Sequence, residues 1–158
     1  MPCIKIVPKL YVEEGADKGL IDEYIYRKAL AKGGLAVDPV HAVEHMRIYR
    51  QLLTHQPGAQ LYHFILAFSE RESRAFPSIN LLVYMAYEIC SFLADEYQII
   101  FGIHDIGYPN NKRWHIHFAM NAVSYRTGKR YRRNKYTDAA LKNYVECVVG
   151  KKVEVYYN

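Results

Sequence analysis

Apolar positions recur along this chain with two periods, and each change of period marks a new element. Residues 3–7 alternate, with Ile4 and Ile6 on one side before Pro8, and read as a short strand. Residues 19–32 read as a helix that ends at Gly33-Gly34, a suitable C-cap. Asp38-Pro39 opens another helix, with Asp as cap and Pro in the first turn. Its Ala42, Met46, Tyr49 and Leu53 follow the four-three-four spacing of one buried stripe. His55-Gln56-Pro57-Gly58 is a turn, and residues 61–68 (LYHFILAF) are strand-like and largely apolar. After Pro77, a helix over about 78–95 carries Leu81, Leu82, Val83, Met85, Ile89, Phe92 and Leu93, apolar almost all round, as a helix buried against a sheet must be. Strands follow at 98–104 and 115–124, with a polar loop between them. Thr137-Asp138 caps a last helix that stops at Gly150, and residues 152–157 (KVEVYY) close as a strand. The sum predicts an α+β fold over residues 1–158: a mostly antiparallel central sheet with helices on one face and the other face open.

Composition agrees with one folded domain, since 158 residues are 51% hydrophobic and only 23% charged. No apolar run reaches the roughly 20 residues of a bilayer span, and Met1-Pro2-Cys3-Ile4-Lys5 lacks the core of a signal peptide. A cytoplasmic location is therefore expected. Cys3, Cys90 and Cys147 match no zinc spacing and read as reduced thiols. The net charge of +5 permits a nucleic-acid partner without demanding one. Its distribution says more. Lys129, Arg130, Arg132, Arg133 and Lys135 crowd together with Tyr131 and Tyr136, just after Arg126. This is either a solvated loop or a patch that tracks phosphates and offers rings on which bases stack.

The strand at 115–124 carries the candidate chemistry. His115 and His117 are two apart, so both point to one face, while Trp114, Ile116 and Phe118 point toward the helices. Between the strands lie the turn formers Gly107, Pro109, Asn110 and Asn111. If the two strands pair as a hairpin across them, His104 sits opposite His115 and three imidazoles converge. Three protein ligands leave coordination positions open, the arrangement of a catalytic metal, which would bind a phosphate oxygen and stabilise developing charge. His63 is the reserve third ligand; otherwise it bonds within the sheet. His41 and His45 read as surface residues. Neutral imidazoles suit Zn²⁺, Mn²⁺ or Ni²⁺ by softness, whereas phosphate chemistry often uses Mg²⁺. One divalent ion is expected, Mn²⁺ or Mg²⁺ first, with Zn²⁺ or Ni²⁺ as alternatives.

A nucleophile must be chosen among 15 tyrosines. Tyr24 stands out because Arg27 and Lys28, at i+3 and i+4 on the expected helix, would hold a phosphate beside its phenol. Tyr26, roughly opposite on that helix, is the runner-up.

Four stretches together resemble a known family, the relaxases or mobilisation nucleases of conjugative plasmids and integrative elements, in the family's order. EYIYRKALAKGG resembles the N-terminal tyrosine motif, which puts the nucleophile at Tyr24. LYHFILAFSERES resembles the strand-plus-acid motif, and IIFGIHDIG with RWHIHFAMNAVSYRTGKRY resembles the three-histidine motif and its trailing Asn and Gly-Lys. The resemblance implies a sheet-centred nuclease and a divalent metal on His104, His115 and His117. It also implies tyrosine attack on single-stranded DNA at an origin of transfer, giving a 5′-phosphotyrosyl link and a free 3′-hydroxyl, in a relaxosome that can include accessory proteins. Glu70 or Glu72 would be the acid that orients a histidine or moves a proton, and Asn121 would support the site and DNA from the same strand. DNA contacts are expected from Arg27, Lys28, Arg126, Lys129, Arg130, Arg132 and Arg133. The chain departs from the pattern in Ala67, where Ser is usual before Phe68, and in the long loop between His104 and His115. Relaxases usually continue into helicase, primase or uncharacterised regions, which lie outside these 158 residues. The alternatives are a rolling-circle replication initiator of the same histidine-hydrophobe-histidine superfamily, disfavoured because initiators usually place the tyrosine after the histidines, and a catalytically inactive DNA-binding module.

Overall fold

A computed structural model describes residues 1–54, 56–106 and 112–157. His55 of the expected turn, and Gly107, Pro109, Asn110 and Asn111 of the expected hairpin loop, lie outside the described residues. The strands are β1 (Cys3–Val7), β2 (Ala31–Leu35), β3 (Leu61–Ala67), β4 (Ile99–Asp105), β5 (Trp114–Asn121) and β6 (Glu154–Tyr157). The helices are α1 (Ala16–Leu20), α2 (Ala42–Leu53), α3 (Glu70–Arg74), α4 (Ile79–Leu93) and α5 (Lys135–Val149). The strands form one sheet in the order β2-β4-β5-β3-β1-β6, antiparallel throughout except for the parallel β1–β6 pair at one edge. The fold is α+β, as expected, with a mixed sheet.

Helices cover both faces, and this corrects the expectation of one open face. The central strands are the cause. Every residue of β4 except Asp105, and every residue of β5 except His115, is buried. Strands apolar on both sides need cover on both sides. On one face Phe64, Leu66, Phe101, Ile103, Ile116 and Phe118 pack under α4 and α5 through Leu82, Met85, Ile89, Leu141 and Val145. On the other, Leu61, Ile100 and Ala119 pack under the N-terminal helices and α2 through Leu20, Ile21, Ile25, Val43 and Met46.

The N-terminal region departs furthest from expectation. α1 runs only five residues and passes into a π-helical segment, Ile21–Tyr26. The chain then turns, and the Leu30 N–H donates to the Ile103 carbonyl at 2.9 Å. Gly33 and Gly34 therefore lie in edge strand β2, paired with Phe101 and Ile100, rather than capping a helix. α2 opens as read, with the Asp38 carboxylate accepting from the Val40 N–H. Its inward face is Ala42, Val43, Met46 and Arg50, while Tyr49 and Leu53 are each 40% exposed, so the expected stripe is rotated. The Asn134 side chain, rather than Thr137-Asp138, caps α5, which ends at Gly150 with φ 76°.

Candidate functional site

Strands β3, β4 and β5 deliver four imidazoles to the face beneath the N-terminal helices. His104 lies directly opposite His115, as the hairpin reading expected, and His117 follows two residues on. His63 of β3 stands opposite Ala119 on the same face, so it joins the cluster. From the His117 ring, the centroids of His104, His63 and His115 lie 4.4, 5.4 and 5.7 Å away. His63, His104 and His117 are buried. Burial pushes His117 down to about 2, helped by the neighbouring His104, His63 and His115. Burial and His104 push His63 down to about 4, and burial lowers His115 as well. These three rings are neutral at pH 7, the form that ligates a cation.

Tyr24 lies across this cluster. Its ring meets His117 edge-on at 5.2 Å, His63 at 6.1 Å and His104 at 6.2 Å, yet it is 50% exposed. The π-helical segment sets this position. Ile25, fully buried, seats the segment against Gly102 of β4, where a Cβ would stand only 2.6 Å from Ile25 Cγ2 and 3.0 Å from its carbonyl oxygen. A glycine within a strand often marks such a close approach. The Ile25 carbonyl also accepts from His104 Nε2 at 2.6 Å. Tyr24 and His63 line a groove of about 600 Å³ with Lys9, Tyr11, Gly19 and Ile65.

Tyr26 is held elsewhere. Its hydroxyl donates to the Pro39 carbonyl at 2.8 Å, Lys32 Nζ lies 4.6 Å from its ring, and burial with Asp22 and Asp38 raises its pKa. Arg27 and Lys28 are exposed on the turn that follows the π segment, so the α-helical face they were expected to share with Tyr24 does not form.

Two buried nitrogens of the cluster, His115 Nδ1 and His117 Nε2, find no hydrogen-bond partner among the described residues. Buried polar atoms left unpaired are rare and point to a missing ligand. The donor set therefore fits a divalent cation chemically. It is not a finished cage: among the described residues no three His, Cys, Asp or Glu side chains are gathered to hold a metal ion. His104 accounts for part of this, because its Nε2 is engaged by Ile25.

The expected acids are engaged in structure. Glu72 completes a capping box with Ser69 and lies 3.0 Å from the N-terminal ammonium, while Glu70 pairs with Arg74. Asn121, expected to support the site and contact DNA, lies in a buried hydrogen-bond network. It is fully buried; its amide nitrogen donates to the Met46 carbonyl at 3.1 Å and to Gln98 Oε1 at 3.0 Å, and its oxygen accepts from Arg50 at 3.2 Å. Arg50 in turn bonds Asp17 at 2.5 Å, and Arg47 reaches the same carboxylate at 2.8 Å. Burial pushes against ionisation of Asp17, but hydrogen bonds from Arg47, the Lys18 N–H and Arg50 prevail and hold its pKa below the usual range.

The basic stretch after β5 divides. Arg126, Lys129 and Arg132 are exposed. Arg130 is used in structure, donating to the Ala59 and Gln56 carbonyls at 2.6 Å each, and Arg133 lies 3.8 Å from Asp138. Tyr131 is partly buried and packs against Tyr62 and Tyr97, whereas Tyr136 is 73% exposed.

Sequence reasoning held His63 only as a reserve ligand, and it missed the approach of Ile25 and of Tyr11, whose hydroxyl lies 3.0 Å from His63 Nδ1. Gly102 inside an otherwise apolar strand was the available signal for the close backbone approach. Among the described residues no helix is long and apolar enough to cross a membrane. The protein family described as Relaxase: MobA/VirD2-like, nuclease domain matches residues 19–148. No curated protein and no solved structure matches the chain.

Proposed function

Because this chain belongs to the MobA/VirD2-like relaxase nuclease-domain family, we propose that it nicks single-stranded DNA at an origin of transfer, with Tyr24 as nucleophile and one divalent metal ion on His104, His115 and His117. The observation that carries this reading is the edge-on seating of the Tyr24 ring over the imidazoles, 5.2 Å from His117, with half its surface open to a substrate.

When bound, the metal would neutralise a non-bridging phosphate oxygen and stabilise charge developing there. The chain's own part is positioning. The Tyr24 hydroxyl loses its proton and attacks phosphorus; the new O–P bond replaces the P–O3′ bond, and the departing 3′ oxygen takes up a proton to become a hydroxyl. The DNA 5′ end stays on the tyrosine, so the bond energy is kept for rejoining. His115 Nδ1 and His117 Nε2, without partners among the described residues, favour a cation here. His104 would be the third ligand, with its Nε2 donating to the Ile25 carbonyl. Lys9 along the groove and the exposed Arg126, Lys129 and Arg132 are suited to hold backbone phosphates. Relaxosome accessory proteins would supply the unpaired strand, and Mn²⁺ or Mg²⁺ remains the first choice of ion, with Zn²⁺ or Ni²⁺ behind.

The test is an adduct assay with single-stranded origin oligonucleotides and Mn²⁺. The wild type should give a denaturation-resistant protein–DNA species, Tyr24→Phe should reduce it to background, and Tyr26→Phe should retain it. An adduct that survives Tyr24→Phe overturns the choice of nucleophile.

A further inference from the structure

His63 is the one ring of the cluster whose two nitrogens both face protein partners. Nδ1 lies 3.0 Å from the Tyr11 hydroxyl and Nε2 lies 3.2 Å from His117 Nδ1. His117 Nε2, at the end of this line, is buried without a partner among the described residues. We propose that Tyr11 and His63 form a two-residue relay that fixes the tautomer of His117, so that its Nε2 presents a lone pair to the site. His63 is thus a positioning residue rather than a ligand.

The argument is one of donors and acceptors. A neutral imidazole has one N–H and one lone pair. Between neutral rings the line can be filled in only two consistent ways. In the first, His117 Nδ1–H donates to His63 Nε2, His63 Nδ1–H donates to the Tyr11 oxygen, and His117 Nε2 keeps its lone pair. In the second, the Tyr11 hydroxyl donates to His63 Nδ1, His63 Nε2–H donates to His117 Nδ1, and His117 Nε2 carries a proton. That proton would be a buried donor without an acceptor, and orphaned N–H groups are rarer in folded proteins than under-used acceptors. Only the first arrangement leaves an atom able to bind a cation. Ligating histidines usually donate their other N–H to a carboxylate, carbonyl or water, and that partner sets both tautomer and ring angle. The acids expected for this task, Glu70 and Glu72, are held by Arg74 and by the Ser69 cap, and a histidine stands at the ligand's second nitrogen instead. The place of His63 follows from register. Its residue faces Ala119, two positions along β5 from His117, and the small alanine leaves its ring free to lean toward the ligand.

For its catalytic consequence the relay rests on the metal reading given above, but the tautomer itself is a property of the metal-free protein. The first measurement is therefore a long-range ¹H–¹⁵N correlation spectrum of the metal-free protein at pH 7. His117 should appear with its proton on Nδ1 and His63 likewise; a protonated Nε2 on His117 overturns the proposal whether or not metal binds. The second is titration calorimetry with Ni²⁺ alone. His63→Leu removes the acceptor and should weaken binding by about 10- to 100-fold. His63→Gln, which offers a carbonyl oxygen near the lost Nε2, should recover most of that affinity, and Tyr11→Phe should fall between. Equal affinities for wild type and His63→Leu, with the His117 tautomer unchanged, would also overturn it. If wild type binds no metal while His117 shows the expected tautomer, the relay stands and the metal reading fails.

Discussion

Strand β5 shows two ways to bury polar side chains on a single face. At one end, His115 and His117 leave one nitrogen each without a partner among the described residues. Four residues beyond His117, roughly 13 Å along a strand, Asn121 spends both amide hydrogens and its oxygen on Met46, Gln98 and Arg50, and Arg50 closes onto Asp17. The polar atoms compared at both ends are buried, and both ends are rich in side chains able to work in catalysis. What separates them is satisfaction. A fully bonded network holds elements together, here α2 and α1 to the sheet, and has nothing left for a ligand. Unpaired buried nitrogens cost stability unless something binds them. Asn121, expected to support the site and DNA, has every polar atom of its side chain engaged in this network.

Substitutions that separate the two ends should behave oppositely. The largest effect is expected from His115→Ala with His117→Ala. This variant should lose bound metal by elemental analysis and give no DNA adduct, with a melting temperature equal to or above that of the metal-free wild type. Asp17→Ala should strand the Arg50 guanidinium, destabilising the fold by about 3 kcal/mol in urea unfolding while the folded fraction keeps its metal. The folded pKa of Asp17 is lowered, so its contribution is present above the unfolded value near 3.9 and is lost as pH falls through the folded one. Wild-type stability should therefore drop in acid more steeply than that of Asp17→Ala. Asn121→Ala should cost about 1–3 kcal/mol and leave the adduct yield per folded molecule unchanged; a selective loss of adduct would return Asn121 to the site. The smallest effect belongs to Lys129→Gln with Arg132→Gln, which should reduce the salt dependence of single-strand binding by about 0.7 in log-log slope for each phosphate no longer neutralised without changing the fold.

The degree to which each region was legible follows from its physics. The β4–β5 pairing that sets His104 against His115 followed from taking the two strands as a hairpin across their loop, after which the two-residue period puts His117 on the same face. The α4 helix was legible from its length and apolar content, but only Leu82, Met85, Ala86, Ile89 and Cys90 are buried, while Leu81 and Phe92 face outward. The N-terminal region was not legible. Its apolar spacing suits a single α-helix, and nothing local announces the π turn or the Gly33-Gly34 strand; both answer to Ile25 seating on Gly102 and Leu30 pairing with Ile103. His63 could be read only as a reserve ligand, because β3 had no readable register with β5. The buried role of Arg50 was hidden because it follows Met46 on the inward face of α2, where an apolar residue is the ordinary expectation.

Gly102 has one further consequence. The gap between the phenol and the imidazoles is set by an atom that is missing. A single methyl on that strand residue would act as a wedge under the Ile25 backbone, lifting the tyrosine's platform and with it the carbonyl to which His104 Nε2 donates. The reach of the phenol and the freedom of one imidazole are thus set together, by the size of one side chain.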